Sequence, residues 1–313
     1  MTHGNISFKM KVKNRGEVLV LLIREDKSKF ELDLLDLRND VVFKSFFGDR
    51  RNNKLLLDFL RAVLGEKIKS VTLTNPYVEP SHANDKSSEM DLRMITDKEE
   101  QINVEMQFQG HKAFRERMLI YWAKMYGVQD NISKPYGELN KAFQVVITNF
   151  NLLSKPHYRS MFQLIDPEDG SLFSSHMEIH VIELSKITDL RLQGATKLEQ
   201  WLLFLEGDKE TKEALAMEST TMKEAYEEIQ RLSDDKETRK AAIARDIHLR
   251  DQVQREFDAK EEGEKKGRIE GKVDGIAEVA LNMHKKQFTI EAIAAATNLS
   301  MEDVLRIVKS NIQ

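Results

Sequence analysis

Two neighbouring segments within residues 89–109, EMDLRMITDKEEQINVEMQFQ, alternate apolar and polar residues at the two-residue period of a β-strand. Asp91 falls on the polar face of the first segment, and Glu105 and Gln107 fall on the polar face of the second. The polar stretch DKEE, residues 97–100, separates the segments and predicts a hairpin. The sequence therefore predicts two carboxylates and one carboxamide on the same face of two adjacent strands.

A hairpin centred on Lys98 places Asp91 directly opposite Glu105, with their Cβ atoms roughly 5 Å apart. Two carboxylates at that separation repel, which favours either a raised pKa or a bound divalent cation. No His or Cys lies in this segment, so the ligands are oxygens suited to Mg²⁺ or Mn²⁺. Gln107 is placed to orient an attacking water. From the pattern alone, the alternative is that these side chains line an ordinary exposed face of a two-sided sheet.

The elements that must position these residues follow in the order helix, three strands, helix, strand. Apolar residues at helical spacing predict a helix that ends before Gly65. Helices are predicted over residues 52–64 and 112–129, and strands over residues 67–74, 89–96, 101–109, 142–150 and 177–184. A sheet this apolar needs helices on its faces, so we expect an α/β fold, a sandwich with a mixed sheet.

Composition excludes several classes of function. The 313 residues include no cysteine, which excludes disulfides, thiolate zinc sites, iron–sulfur clusters and cysteine nucleophiles. The 48 Lys and Arg against 52 Asp and Glu give a net charge of −4, so no overall basic field indicates a nucleic-acid partner. No apolar stretch approaches the ~18 residues of a membrane span, and the first residues lack a signal-peptide core. A cytoplasmic protein that does not contact membranes is expected.

Five regions are predicted along the chain. Beyond residue 188 there is no proline, and residues rich in Leu, Ala, Glu and Lys predict several helices. Glycines recur every four residues within residues 263–275, which indicates either close helix contact across a dimer or a flexible linker. The regions are an N-terminal arm or hairpin (1–30), an α/β domain (31–190), a charged helical region (191–262), the glycine repeat (263–275) and a small helical C-terminal domain (276–313).

Several motifs in order carry a resemblance to a known family. They are NDVVFKSFFGD (39–49), Asp91, Glu105-Met106-Gln107, Arg117-x-x-x-Tyr121 and PHYRSMFQLIDPEDGSLFSSHMEIHVIELSK (156–186). Together they resemble the Rpn family of recombination-promoting nucleases and transposase-like proteins, which belongs to the PD-(D/E)XK nuclease superfamily. The resemblance covers roughly residues 35–186. It implies a restriction-endonuclease-like core with the element order α-β-β-β-α-β, followed by a helical C-terminal region.

The resemblance also implies a DNA endonuclease that hydrolyses phosphodiester bonds with Mg²⁺ or Mn²⁺. Asp91 and Glu105 match the metal-binding acids of the family. Gln107 stands where the wider superfamily has lysine, although glutamine is usual for the Rpn group; a neutral side chain orients water but adds no positive charge. Asp40, at the head of DVVFKSFF, is either a further acidic member of the site or the cap of a helix.

Phosphate contacts are expected on the helix that follows the hairpin, where polar residues recur at i, i+4 and i+7; a packed surface stripe is the alternative. Lys112 or Arg117 could supply the positive charge that Gln107 lacks. The candidate DNA-binding residues are Arg117, Tyr121, Lys124 and Lys112. Phe43, Phe46 and Phe47 are expected to be core residues and not a base-stacking platform.

The expected partners are DNA and further copies of the chain, bound through the C-terminal helices. The implied role is DNA recombination, mobile-element or defence biology. The alternative is a non-catalytic DNA-binding or interaction protein with a degenerate nuclease fold, in which Gln107 marks lost activity. The segment IEAIAAATNLSMEDVLRIV loosely resembles a helix-turn-helix, but its second helix carries few basic residues, which favours protein contact over base contact.

Overall fold

A computed structural model describes most of the chain. The described residues are 6–13, 17–24, 33–65, 67–75, 77–78, 88–110, 113–130 and 135–310, with only the backbone described for 6–13, 17–24, 77–78 and 88–89. Within them, contacts divide the chain into two compact units, residues 1–245 and 246–313. Each unit is described separately.

A six-stranded sheet forms the centre of the first unit, with the strand order β3-β6-β7-β8-β10-β9. Neighbouring strands are antiparallel from β3 to β7, parallel from β7 through β8 to β10, and antiparallel again between β10 and β9. These six strands are β3 (Val71–Leu73), β6 (Leu92–Thr96), β7 (Gln101–Gln107), β8 (Ala142–Thr148), β9 (Arg159–Ile165) and β10 (Leu172–Glu183). The mixed sheet that the sequence predicts is confirmed.

Two short antiparallel pairs lie outside this sheet. They are β1 (Ile6–Lys13) with β2 (Glu17–Arg24), and β4 (Tyr77–Val78) with β5 (Ser88–Glu89). The first pair is the hairpin form of the predicted N-terminal arm. The sequence alternates Lys9, Lys11 and Lys13 with apolar residues along the first of these strands, and these side chains lie outside the described ones.

Helices cover both faces of the sheet. The helices of the first unit are α1 (Asp40–Phe47), α2 (Asn53–Leu64), α3 (Phe114–Gly127), α4 (Lys197–Glu206), α5 (Lys209–Glu218) and α6 (Thr220–Asp234), and α7 (Lys236–Lys285) begins there. Short 3-10 turns lie at Arg50–Asn52, Tyr136–Glu138 and Leu184–Lys186. One face packs against α1, α2 and α4–α6, whereas α3 packs on the other face against β7 and β8. This arrangement is the predicted α/β sandwich.

The register of the β6–β7 hairpin is the one that the sequence predicts. Arg93 pairs with Asn103 and Met94 pairs with Ile102, which is the register of a turn centred on Lys98. The apolar side chains of both strands enter the main core. The strand ends at Gln107, two residues earlier than predicted, and Phe108 is exposed.

The main hydrophobic core extends beyond the predicted α/β domain. Trp201 and Phe204 of α4 are fully buried with the sheet residues, and the core continues to Ala242. These apolar residues are spread over several short helices, so the dense charges of residues 191–262 made them hard to recognise in the sequence as one apolar face. Strand β9 was not predicted, because its residues are mostly exposed and lack regular alternation.

The second unit contains the rest of α7, α8 (Ile290–Thr297) and α9 (Met301–Ser310). Its small core consists of Ala280, Ile293, Val304 and Val308. The Ser300 hydroxyl accepts a hydrogen bond from Asp303 N at 3.1 Å and thereby caps the start of α9. The glycine repeat is helical throughout, so it does not form an irregular linker here, and the predicted helix contact stays a prediction.

The aromatic cluster around Phe47 joins helices α1, α2 and α4 in the layer that covers one face of the sheet. Its ring centroid lies 4.9 Å from that of Phe43, 4.8 Å from Phe46, 5.2 Å from Phe59 and 5.6 Å from Trp201. All these side chains are fully buried, as expected for Phe43, Phe46 and Phe47. The cluster is therefore core and not a base-stacking surface.

We expect Phe47→Ala to lower the free energy of unfolding by about 3–5 kcal/mol, because it leaves a cavity among four fixed rings. Urea denaturation followed by circular dichroism measures this change. The matched control is Phe173→Ala, since Phe173 is 85% exposed and its loss should change stability by less than about 0.5 kcal/mol. Equal midpoints for the two variants would contradict this account of the core.

Candidate active site

Asp91 and Glu105 meet where strand β6 begins and β7 nears its end. Asp91 directly precedes β6, and the hairpin register places it opposite Glu105. Asp91 N donates a hydrogen bond to Glu105 Oε1 at 3.1 Å, and Met106 N donates to Asp91 Oδ2 at 2.9 Å. The two carboxylates are therefore held by the backbone of each other's strand, in the arrangement predicted from sequence.

The polar face of this hairpin is buried along most of β7 and half-buried at Asp91 and Gln107, so it is not an ordinary exposed face. Glu105 is only 4% exposed. Burial, and secondly the negative charge of Asp91, raises the pKa of Glu105 from its ordinary 4.5 to about 8. Burial also raises the pKa of Asp91, although the nearby Lys44 ammonium opposes that rise. Burial thus makes it unfavourable for both carboxylates to be ionised together.

Asn103 and Gln144 support Glu105 from below, and neither was singled out from the sequence. Asn103 Nδ2 donates to Glu105 Oε1 at 3.0 Å and to Gln144 Oε1 at 3.1 Å. Both residues are fully buried. Asn103 lies two residues before Glu105, so the strand alternation already places it on the same face, and this was the available signal.

Lys44 of α1 also contacts the carboxylate pair and was missed by the sequence analysis. Its Nζ lies 3.0 Å from Asp91 Oδ1, and its side chain is 35% exposed. The only signal was its position four residues after Asp40, which puts both on one face of α1. A contact between α1 and a strand almost fifty residues later depends on packing that sequence spacing does not reveal.

Gln107 and Arg117 form a pair at the end of β7. Arg117 Nη2 donates to Gln107 Oε1 at 2.5 Å, and the guanidinium lies 5.2 Å from the ring centre of Phe114 and 5.8 Å from that of Tyr121. Tyr121 is half-buried, and burial, then the charge of Glu105, raises the pKa of its phenol. The structure therefore brings Arg117 and Tyr121 of α3 to the site.

Asp40 lies near the pair but has a different partner. Its carboxylate accepts from Arg245 Nε at 2.8 Å and lies 2.7 Å from Arg245 Nη2, a bidentate ion pair between α1 and α7. Its charge contributes to the raised pKa of Asp91. The N-cap of α1 is Asn39, whose side chain accepts from Val41 N and Val42 N. Asp40 is the first residue of the helix, and its carboxylate also accepts from Val41 N at 3.1 Å.

The structure says less about the two lysines among the candidate DNA-binding residues. Lys124 is half-buried on α3, two turns beyond Arg117. Lys112 lies outside the described residues. A role in DNA binding stays a prediction for both.

A family described as PD-(D/E)XK nuclease family transposase matches residues 37–256. The chain belongs to this family. Neither the curated proteins nor the solved structures give a significant match. The matched segment contains Asp91, Glu105 and Gln107, and the family is the one indicated by the sequence motifs. Among the described residues, no helix is both long and apolar enough to cross a membrane.

Nucleases of the PD-(D/E)XK type generally use divalent metal ions, and the donor set here fits such an ion. Asp91 and Glu105 present carboxylate oxygens, and no described residue donates a hydrogen bond to Glu105 Oε2. The raised pKa values, caused first by burial, show that ionised carboxylates are unfavourable at this position, and a bound cation would favour the ionised form. In the described part of the chain, no group of three or more His, Cys, Asp or Glu is arranged for a metal. The candidate ligands at this hairpin are the carboxylates of Asp91 and Glu105.

The buried Glu105 predicts a pH-dependent stability in the metal-free protein. Its folded pKa of about 8 lies above its ordinary 4.5, so between these values the folded chain binds more protons than the unfolded chain. Stability is therefore greatest below pH 4.5 for this group and falls as pH rises towards 8. We expect Glu105→Gln to remove this fall, a gain on the order of 1–3 kcal/mol at pH 8 over wild type.

Thermal unfolding in EDTA at several pH values between 5 and 8.5 tests this expectation. The control variant is Glu168→Gln, because Glu168 is exposed. Parallel curves for wild type and Glu105→Gln would show that Glu105 does not carry the raised pKa.

Proposed function

We propose that the chain is a Mg²⁺- or Mn²⁺-dependent DNA endonuclease that hydrolyses phosphodiester bonds. The observation that carries the proposal is the buried pair of Asp91 and Glu105, tied together across the β6–β7 hairpin in a chain of the nuclease family. A buried carboxylate pair costs stability unless a proton or cation compensates it. Such a pair is unfavourable as a purely structural feature and suits a metal-dependent hydrolase.

In this mechanism Asp91 and Glu105 would hold the divalent cation. When bound, the cation supplies positive charge that stabilises the negative charge developing on the phosphate oxygens during attack. Asn103 keeps Glu105 Oε1 in position through its hydrogen bond. The backbone N–H of Met106 does the same for Asp91 Oδ2.

Gln107 acts together with Arg117. Because Arg117 donates to Gln107 Oε1, the amide nitrogen of Gln107 remains to donate a hydrogen bond towards the site. Gln107 thus orients water or a phosphate oxygen, and Arg117 supplies a positive charge that glutamine lacks. This division of labour favours an active enzyme over a fold in which glutamine marks lost activity.

DNA would approach from the side where α3 borders the site. We propose that Arg117, Tyr121, Lys124 and Lys112 contact its backbone. These contacts are local, so a net charge of −4 over the whole chain does not oppose DNA binding. A role in recombination, transposition or defence, a cytoplasmic location and self-association through the C-terminal helices stay predictions.

We expect the wild-type chain to nick supercoiled plasmid in Mg²⁺ and to be inactive in EDTA. Asp91→Ala and Glu105→Ala should each lower the rate by on the order of 10²–10³-fold, since each removes charge that acts on the reacting phosphate. Agarose-gel conversion of supercoiled to open-circular DNA measures the rate. Glu138→Ala is the control, because Glu138 is exposed and lies in a separate 3-10 turn. Equal nicking by all four proteins would refute the site.

Mg²⁺ should also stabilise the fold without DNA. At a concentration 100 times its Kd, binding to the folded state alone adds about 2.7 kcal/mol to the free energy of unfolding. The melting temperature should therefore rise with Mg²⁺ in wild type but not in Asp91→Asn. A wild-type melting temperature that does not respond to Mg²⁺ or Mn²⁺ would instead favour a non-catalytic protein with a degenerate nuclease fold.

A further inference from the structure

The two carboxylate oxygens of Asp91 have different partners, which affects how easily each could coordinate a cation. Oδ2 accepts from Met106 N at 2.9 Å, and that N–H belongs to strand β7 near the centre of the sheet. Oδ1 lies 3.0 Å from Lys44 Nζ, the end of a flexible side chain that is 35% exposed. Of the two oxygens, Oδ1 is therefore the one whose partner could move aside for a cation without disturbing the sheet.

Lys44 differs from the other described cations around the site because it contacts a candidate metal ligand, Asp91. Arg117 is bonded to Gln107, and Arg245 makes a bidentate pair with Asp40. Among the ion pairs between described residues, the one that involves a candidate metal ligand is Lys44–Asp91. Lys44 is thus a described cation that would compete directly with a metal for Asp91.

We propose that Lys44 is a mobile counter-ion, which holds Asp91 in the metal-free chain and moves to a DNA phosphate when a divalent cation takes Asp91 Oδ1. The proposal rests on the proposed nuclease function and deepens it. A lysine suits this role because its ammonium is a compact charge with three donors on a four-carbon stem. Lys44 would then supply from α1 the positive charge that Gln107 does not provide on β7.

The proposal couples the binding of metal to the binding of DNA. In the free chain Lys44 competes with the cation for Asp91, so metal binding is weakened. Once DNA offers a phosphate to Lys44, that competition ends and metal binds more tightly. By thermodynamic reciprocity, the metal must then tighten DNA binding by the same factor.

Two binding measurements on the full chain test the proposal without relying on cleavage. The first is the Kd for Mn²⁺ alone, by isothermal titration calorimetry without DNA. Lys44→Gln should bind Mn²⁺ about 3–10-fold more tightly than wild type, whereas Lys44→Arg, which keeps the charge, should resemble wild type. Lys98→Gln is the control, because Lys98 is exposed at the turn of the hairpin, away from Asp91.

The second measurement is the salt dependence of duplex binding by fluorescence anisotropy, with Ca²⁺ or with EDTA. One phosphate contact contributes about 0.9 to the slope of log K against log salt concentration. Lys44→Gln should lower the slope by about that amount in Ca²⁺ and leave it unchanged in EDTA, where Asp91 holds Lys44. A merely structural lysine would not produce a difference that depends on the metal.

Several results would overturn the proposal. Lys44 is not a mobile counter-ion if Lys44→Gln binds Mn²⁺ no more tightly than wild type, or if the salt slope changes equally in Ca²⁺ and in EDTA. In either case the proposed nuclease function still stands if plasmid nicking requires Asp91. If wild type binds no Mn²⁺, both proposals fail. Lys44→Met provides a second uncharged variant if Lys44→Gln does not fold.

Discussion

The main physical constraint on this structure is the pair of carboxylates that lie close together with little access to water. Asp91 and Glu105 lie on adjacent strands, and their mutual repulsion adds to the cost of removing charge from water. Donors from several parts of the chain reduce that cost: Met106 N, Asp91 N, the amide of Asn103 and the ammonium of Lys44. They do not remove it, as the raised pKa of Glu105 shows. The packing of the rest of the fold must therefore offset the cost of this carboxylate pair.

The sheet supplies the rigidity that this site needs. Strand β7 lies between the antiparallel strand β6 and the parallel strand β8, so both of its edges are hydrogen-bonded and its residues have little freedom to relax. Helix α1 approaches from one face and α3 from the other, which lets side chains from two layers meet at the end of β7. Asp40 and Arg245 tie α1 to α7 and help to fix the helix that carries Lys44.

The role of Gln107 depends on the positively charged residues near it. In isolation, a neutral amide where the wider superfamily has lysine suggests a weakened enzyme. In the structure, Arg117 lies 2.5 Å from its oxygen and Lys44 lies 3.0 Å from Asp91. Positive charge thus reaches the site from two helices, without a lysine on β7. Electrostatic stabilisation depends on where a charge is located and not on which element carries it, so such a redistribution is compatible with phosphodiester hydrolysis.

Local sequence determined the parts of this protein that depend on short-range periodicity. The alternation of polar and apolar residues and a four-residue turn were enough to predict the β6–β7 register, because a shift of one residue would expose every apolar side chain. The helix before Gly65 and the element order followed from the same kind of pattern. Tertiary structure alone decided that the polar face is buried, that Lys44 joins Asp91, that Arg245 pairs with Asp40, and that α4–α6 share the core of the sheet. Those contacts join residues tens to hundreds of positions apart, and only the packing of helices on the sheet brings them within bonding distance.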